Sequence, residues 1–355
     1  GSSSCRGRRA EATRGPRFTR TGYPHPMLTP QIAMEAFSDL PFPVATRAEL
    51  RKKGKLQIEA MGRKLCVLWN NGDPRVFADS CAHLGLPLSL GRLRGDRLRC
   101  AYHGWTYDTD SGEVVEQPTL RSPQPCKLKR FGCLVAGGLV FAWLGDPTAV
   151  DAARGMLPEE VIDDFSHFRV VFDCPFYLAL FSSVDYAHFA YHTGYRSFYK
   201  IYSSFRSNEH QPGTVFPTEI AEETDRRVTL RIPDADRDIH MYATCTEMDD
   251  KGVNFFQTYV TPISPMKTLY WECYRPRSES LITRILARSA FRTVTTRLLN
   301  GEDRLWTGAA APHFVAGENI HLCENDLPLG THLRKFVTPR MKAWESQPER
   351  GEAKS

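Results

Sequence analysis

Cys81-Ala82-His83 and, sixteen residues further on, Cys100-Ala101-Tyr102-His103 are the two stretches that decide how this chain is read. Together they set four metal-ligating side chains in two tight pairs, each of one cysteine and one histidine. A thiolate and an imidazole that close together can serve two different metal ions, one on the sulfur side and one on the nitrogen side. The intervening residues carry Gly and Pro where a loop must turn, and leucines able to cover what the loops enclose.

That ligand set fits a Rieske centre, in which a [2Fe-2S] cluster is held by two cysteines on one iron and two histidines on the other, raising its reduction potential above that of an all-cysteine cluster. Cys81, His83, Cys100 and His103 are the expected ligands. A structural zinc site of two Cys and two His is the competing reading, but such modules usually carry their cysteines as one pair and their histidines as another. Here the sequence resembles a known family: C-A-H-L-G-L-P-L-S-L-G and C-A-Y-H-G-W-T-Y-D are similar to the two cluster loops of Rieske non-heme iron oxygenases. Leu84 stands where that family often has Arg, and Ala101 where it often has Pro; neither position supplies a ligand.

Length and composition allow an enzyme of this kind. The 355 residues suffice for two cores, and 41% hydrophobic with 25% charged residues belongs to a soluble globular chain. No run of eighteen apolar residues marks a transmembrane helix. The Arg-, Gly- and Ser-rich start lacks the apolar core of a secretory signal and reads as a disordered basic extension over residues 1–36. The ten cysteines are spread along the chain, so those outside the loops are expected to be reduced thiols in a cytoplasmic setting. A net charge of +5, with basic and acidic residues interleaved, gives nucleic-acid binding little support but suits an acidic electron carrier.

From Pro41 the pattern is one of short strands: Leu56–Ala60, Lys64–Trp69 ending in the hairpin signal Asn70-Asn71-Gly72, Thr106 to Val115 around a turn at Gly112, and Leu134–Trp143 as one buried strand. A small antiparallel β domain over residues 37–150 is expected. A charged, linker-like stretch, Asp151 to Asp164, leads to a second domain over 151–345, with a tail at 346–355. There the sequence predicts a helix from Leu178 to His192, strands at Phe168–Cys174, Arg226–Ile232, Ile239–Thr246, Val253–Val260 and Leu269–Tyr274, and a long helix from Leu281 to Trp306. The fold class is α+β, and strands wrapped on a long C-terminal helix resemble the helix-grip catalytic domain of the same oxygenases.

His188 and His192 lie four apart, which on an α-helix leaves them about 40° apart on one face, able to share a metal. The resemblance implies a mononuclear Fe(II) held there by two histidines and a carboxylate. The family pattern is Asp-x-x-His-x(4)-His, whereas Asp185-x-x-His188-x(3)-His192 is one residue shorter, which bears on the helix geometry and not on the ligand types. Gly301-Glu302-Asp303-Arg304-Leu305-Trp306 resembles the segment carrying the third ligand in the monooxygenase branch, which includes 3-ketosteroid hydroxylases and aminopyrrolnitrin oxygenase; Asp303 is the expected ligand. Ordinary solvated helix acids are the plain alternative for Glu302 and Asp303, and Asp326, assigned to structure, is the second choice of ligand. Asp185, three residues before His188, is placed to accept a hydrogen bond from the histidine nitrogen not bound to metal. In the family the matching Asp also bridges to a cluster histidine of the neighbouring subunit in a head-to-tail trimer.

The function implied is monooxygenation, using O2, of a bulky, largely apolar small molecule by hydroxylation, N-oxygenation or demethylation. Neither a flavin-binding fingerprint nor an all-cysteine ferredoxin signature is present, so a separate NAD(P)H-dependent reductase or ferredoxin is expected to supply the electrons. Aromatics from Tyr186 to Tyr202 and Phe255 to Tyr259 are candidate walls for the substrate cavity. A stand-alone Rieske electron carrier with a non-catalytic second half is the alternative.

Overall fold

The computed structural model describes residues 29–163, 166–185, 188, 191–192, 218–232, 237–250, 253–275, 280–283, 285–286, 289, 300–317, 320, 322 and 324–347. Three antiparallel sheets carry the fold. Strands β1 (Phe42–Thr46), β2 (Lys55–Ala60), β3 (Arg63–Asn70), β4 (Asp73–Ala78), β9 (Arg130–Ala136) and β10 (Leu139–Trp143) form a six-stranded sheet in the order β1-β10-β9-β4-β3-β2. Strands β5 (Arg92–Arg94), β6 (Arg97–Arg99), β7 (Thr106–Asp108) and β8 (Val114–Glu116) make a four-stranded sheet in sequence order. The β3–β4 hairpin turns where the sequence places it: Asn71 and Gly72 have φ of 49° and 90°, the pair of left-handed residues that a two-residue turn needs to match strand twist.

The third sheet has seven strands, β11 (Ser166–Phe172), β12 (Glu219–Glu223), β13 (Val228–Ile232), β14 (Arg237–Met241), β15 (Cys245–Asp250), β16 (Val253–Ser264) and β17 (Lys267–Tyr274), in the order β11-β17-β16-β15-β14-β13-β12. Helices α4 (Phe176–Ser182) and α5 (Asn300–Ala316) pack against each other, α4 against β16 and β17 and α5 against β11. Helix α6 (Leu327–His332) continues through a wider turn, Leu333–Val337, into α7 (Thr338–Glu345). This is the expected α+β arrangement of an antiparallel β unit followed by a helix-grip unit. One apolar core spans both: Val44, Leu65 and Phe131 belong to the same cluster as Val260, Phe314 and Met341. Backbone bonds from Met61 and Gly62 to the carbonyls of Pro262 and Ile263, and the buried Thr261 hydroxyl donating to the Pro43 carbonyl (2.6 Å), tie β16 to the first sheet.

Several elements differ from the sequence reading. Pro30–Ala36 is a helix, α1, with Ala33, Met34 and Ala36 buried, so order begins before Phe37. A second helix, α2 (Arg47–Lys53), follows β1, capped by the Thr46 hydroxyl on the Glu49 amide. Leu134–Trp143 is a hairpin, β9 and β10, folded at Gly137-Gly138. Ile239–Thr246 is likewise two strand ends joined at Tyr242–Thr244, with the Tyr242 amide bonded to the Cys245 carbonyl. The charged stretch after Pro147 holds helix α3 (Val150–Gly155) and is pinned down: Leu157, Val161 and Ile162 are buried, and the side-chain amide of Gln257 bonds the backbone of Glu160 and Ile162. The helix expected over Leu178–His192 ends at Ser182, because the hydroxyls of Ser182 and Ser183 turn back onto the carbonyls of Ala179 and Leu180. The C-terminal helix runs on to Ala316 with Pro312 inside it; helical residues occur at 281–283, 285–286 and 289, while 290–299 lie outside the described residues, as do 1–28 and 348–355 of the two expected tails.

Candidate functional site

The two loops with paired ligands lie at the ends of two hairpin systems. The first follows β4 and is closed by bonds from the Cys81 amide to the Leu86 carbonyl and from the Gly85 amide to the Cys81 carbonyl, both 2.9 Å. The second joins β6 to β7, with the Cys100 amide on the Trp105 carbonyl at 2.8 Å. Cys81 and Cys100 are buried, with 3% of their surface exposed, while His83 and His103 are half-buried at the outer edge. Their imidazole centroids stand 4.7 Å apart, and His83 stacks on Trp105 at 4.8 Å. The thiols of Cys81 and Cys100 are within hydrogen-bonding reach of each other; burial, first, pushes the Cys100 thiol up from its ordinary pKa. The buried Nδ1 of His83 has no hydrogen-bond partner. Two thiols facing inward, two imidazoles facing outward and a buried ring nitrogen without a partner fit a [2Fe-2S] cluster with its histidine-bound iron toward the surface.

Two further residues support these loops and gave no signal in the sequence. The Tyr107 hydroxyl accepts from the Ala82 amide at 3.1 Å, leaving its proton to point at Cys81 Sγ, also at 3.1 Å. Burial, and then the Cys81 sulfur, drive the phenol's pKa well above its ordinary value, so it stays a donor. Asp79, buried just before Cys81, accepts from the Ser89 amide (2.7 Å) and hydroxyl (2.6 Å), fastening the far end of the loop.

The second constellation lies between the end of α4 and the first turns of α5. Asp303 is buried on α5, and its Oδ1 lies 3.1 Å from His188 Nε2 and 3.0 Å from His192 Nε2. One ligand atom from each of the three falls within 4.8 Å of the others. Separations near 3 Å are the edge expected between two adjacent ligands each about 2.1 Å from one ion. The donor set, two imidazoles and one carboxylate, is that of a non-heme Fe(II) facial triad. His188 and His192 do not share the face of one α-helix: α4 has ended, residues 188 and 191 have 3-10 geometry, and His192 lies outside any helix.

Each histidine is held from behind by a carboxylate. Asp185 Oδ2 lies 3.3 Å from His188 Nδ1, as the sequence spacing anticipates. Glu302 Oε2 lies 2.8 Å from His192 Nδ1, an arrangement the sequence does not anticipate, since there Glu302 reads only as an ordinary solvated acid. Its one signal is adjacency to Asp303 on the same helix. Burial would lower the His188 pKa, but Asp185 and Asp303 outweigh it and carry it up to about 9. For Asp303 burial acts upward, and the two imidazoles more than offset it, holding the carboxyl below its usual range.

A cavity of about 350 Å³ opens onto this cluster, with Leu178, Phe181, Trp306, Phe314, Leu322 and Leu329 among its apolar walls and His188, Asp303, Asp185 and Asp326 among its polar ones. Asp326, assigned from sequence to structure, thus lines the cavity without joining the metal-ligand cluster. The aromatics expected as walls fall elsewhere: most of 186–202 lies outside the described residues, Tyr191 is exposed, and Tyr259 is buried with Trp271 and Phe141 in a separate core. All eight described cysteines are free. No helix among the described residues is long and apolar enough to cross a membrane.

Comparison with known proteins places these features. Residues 41–132 match the family model of the Rieske [2Fe-2S] domain. The chain is 31% identical over 162 residues to methylxanthine N1-demethylase NdmA of Pseudomonas putida, covering 42% of this chain and 45% of that one. It is 29% identical over 116 residues to the oxygenase component of 3-ketosteroid-9-alpha-monooxygenase of Mycobacterium tuberculosis, covering 32% and 30%. The terminal oxygenase of carbazole 1,9a-dioxygenase from Nocardioides aromaticivorans superposes with a TM-score of 0.68 at 19% identity over 90% of this chain and 97% of that one. A carbazole 1,9a-dioxygenase oxygenase in complex with ferredoxin gives 0.66 at 19% identity over 90% and 92%. The chain spans less than half the length of the curated relatives it matches. It therefore carries a Rieske domain, the cluster-binding module expected from its paired loops, and has the fold of the oxygenase components of Rieske oxygenases.

Proposed function

We propose that this protein is the oxygenase component of a Rieske-type monooxygenase system acting on a bulky, largely apolar, ring-containing small molecule, with the chain divided near residue 150 into a cluster unit and a catalytic unit. Cys81, Cys100, His83 and His103 hold the cluster, and His188, His192 and Asp303 hold a mononuclear iron. When bound, the cluster supplies electrons singly and the iron supplies O2 activation. The chain's residues do the rest. Asp185 and Glu302 accept the Nδ1 protons of His188 and His192, fixing the tautomers that present Nε2 to the metal. Leu178, Phe181 and Phe314 exclude water and shape the substrate, and Asp326 offers a hydrogen-bond acceptor on the same wall.

Electrons come from a separate ferredoxin or reductase, a reading supported by the ferredoxin complex of the carbazole enzyme. In a head-to-tail homotrimer, Asp185 of one copy meets His103 of the next and links the two centres. A stand-alone electron carrier leaves the clustered His188, His192 and Asp303 without a task, and that cluster is the observation that carries the oxygenase reading. The test is a substrate-depletion screen by mass spectrometry in ¹⁸O2 with a surrogate reductase. The compound consumed yields products carrying one labelled oxygen, and Asp303→Ala yields none; label arriving from water, or undiminished turnover in Asp303→Ala, contradicts it.

A further inference from the structure

The polar side chains lining the cavity beside His188 and Asp303 are nearly all hydrogen-bond acceptors. The Ser182 hydroxyl donates to the Ala179 carbonyl at 2.8 Å and the Thr307 hydroxyl to the Asp303 carbonyl at 2.7 Å, so each offers the cavity lone pairs. Asp185 and Asp303 turn carboxylate oxygens to the two His188 nitrogens, at 3.3 and 3.1 Å. Asp326 adds a third carboxylate, on the wall but outside the metal-ligand cluster. Among the described lining residues there is no lysine, arginine, asparagine or glutamine, and the Trp306 indole is the one side-chain N–H besides His188. Three carboxylates outnumber the two charges of a ferrous ion, so the cavity stays acidic when the metal site is filled.

Asp326 is also placed oddly for its position in the chain. It is the residue before helix α6, where an aspartate ordinarily accepts from amides of the first turn. Here the side chain makes no such bond, and Pro328, which has no amide proton, removes one of the donors it would use. Its carboxylate lines the cavity together with the aromatic side chains of Phe181, Trp306 and Phe314. Aromatic faces attract a cation, that of tryptophan most strongly. An anion among aromatic rings in a small, largely apolar cavity is the chemistry that holds an ammonium group.

We propose that Asp326 is a specificity determinant that selects substrates carrying a protonated amine on an apolar, ring-containing body, and that the cavity rejects their carboxylate counterparts. The proposal rests on the oxygenase reading of this site and names the substrate class it accepts. The ammonium N–H groups donate to the Asp326 oxygens, and the hydrocarbon part takes the apolar wall of Leu178, Phe181 and Leu329. A charge-assisted hydrogen bond in such surroundings is stronger than one between neutral groups, which separates an amine from an alcohol of the same shape. A carboxylate of that shape meets acceptors and like charge, and finds no lysine or arginine among the described lining residues. The amine keeps its proton, and no bond is made or broken in this binding step.

The test uses full-length holoprotein with 1-naphthylmethylamine, 1-naphthylmethanol and 1-naphthoate as probes. They share nearly one shape and bear, at neutral pH, a cation, a neutral hydroxyl and an anion. Calorimetric titration of wild type is expected to rank the amine above the alcohol by about tenfold and above the carboxylate by about a hundredfold or more. Asp326→Asn, nearly isosteric, is expected to bind the amine about tenfold more weakly while the alcohol stays within about threefold of wild type. The proposal is overturned by an amine that binds wild type no more tightly than the carboxylate or by an Asn variant that holds the amine as well as wild type. A variant that weakens amine and alcohol alike also overturns it, assigning Asp326 to the structure of the wall. If Asp326→Asn does not fold, the wild-type ranking of the three probes decides alone. Cluster and mononuclear iron contents of the same samples separate the two readings. Full metal content beside a failed ranking sinks only the substrate class, whereas a wild type that binds no mononuclear iron sinks the oxygenase reading and this proposal with it.

Discussion

The paired-ligand loops and the His188, His192 and Asp303 pocket, the two candidate metal sites, gather their side chains in opposite ways. The loops are local: each is a few residues long, closed by its own backbone bonds, and brought to its partner by two short sheets. The candidate iron site is remote: His188 and His192 follow a short helix, whereas Asp303 and Glu302 arrive on another helix more than a hundred residues later. Local sites are written in spacing and can be read from a string. Remote sites are written in packing, and their supporting residues surface only when the chain is folded.

The comparison breaks if the two sites are not independent, and the largest effects test that. Cys81→Ser or His103→Ala is expected to abolish the visible cluster spectrum and all reductase-driven turnover while Fe(II) binding at the second site persists. His188→Ala, His192→Ala or Asp303→Ala should do the reverse, keeping the red-brown colour and losing mononuclear iron and product. A ligand variant of one site that empties both would unite what is here held apart.

Asp185→Asn sharpens the contrast further. The amide is nearly isosteric, so both metal contents and the assembly are expected to stay, while electron transfer between the centres falls by about a hundredfold or more as the charged acceptor is lost. Rapid-mixing kinetics of cluster reoxidation read this directly, and wild-type rates would leave Asp185 a purely structural role.

The next effect concerns the catalytic half alone. His332 is fully buried on α6 and donates from Nε2 to the Ala243 carbonyl at 3.2 Å; burial, the dominant cause, lowers its pKa from 6.5 to about 4. A histidine held neutral in the fold takes up its proton more readily when unfolded. Stability is therefore fully present above pH about 6.5 and declines as the pH falls toward 4, by an amount on the order of 3 kcal/mol. Thermal unfolding followed across that window should show the decline, and His332→Gln should flatten it.

The smallest effect is the one the sequence concealed. Glu302→Gln keeps a hydrogen-bond acceptor for His192 but removes the charge, and Fe(II) affinity is expected to fall about tenfold with the cluster spectrum unchanged. Equilibrium dialysis against Fe(II) measures it; an unchanged affinity would reduce Glu302 to a neighbour of the ligand.

What was legible follows the same division. The two Cys/His loops that the fold brings together, the Asn71-Gly72 turn, most of the strands and Asp303 as a candidate partner of the two histidines were accessible because each is signalled within a few residues. The helix stop at Ser182-Ser183 was not, because helical spacing of apolar residues runs straight through it and hydroxyl back-bonding has no periodic mark. The hairpins at Gly137 and Tyr242 were read as single strands because both arms are apolar, and a buried arm looks the same before and after a turn. Tyr107, Asp79 and Glu302 act through hydrogen bonds to residues ten or more positions away in sequence, which no local pattern reports.

The central claim, two different iron sites in one chain, comes down to counting atoms. Protein loaded anaerobically with iron and sulfide, then desalted, is expected to hold about three iron atoms and two acid-labile sulfides per chain, and Asp303→Ala about two of each. Wild type with two irons and two sulfides would make the protein an electron carrier without a catalytic metal, and zinc without sulfide would remove the cluster itself.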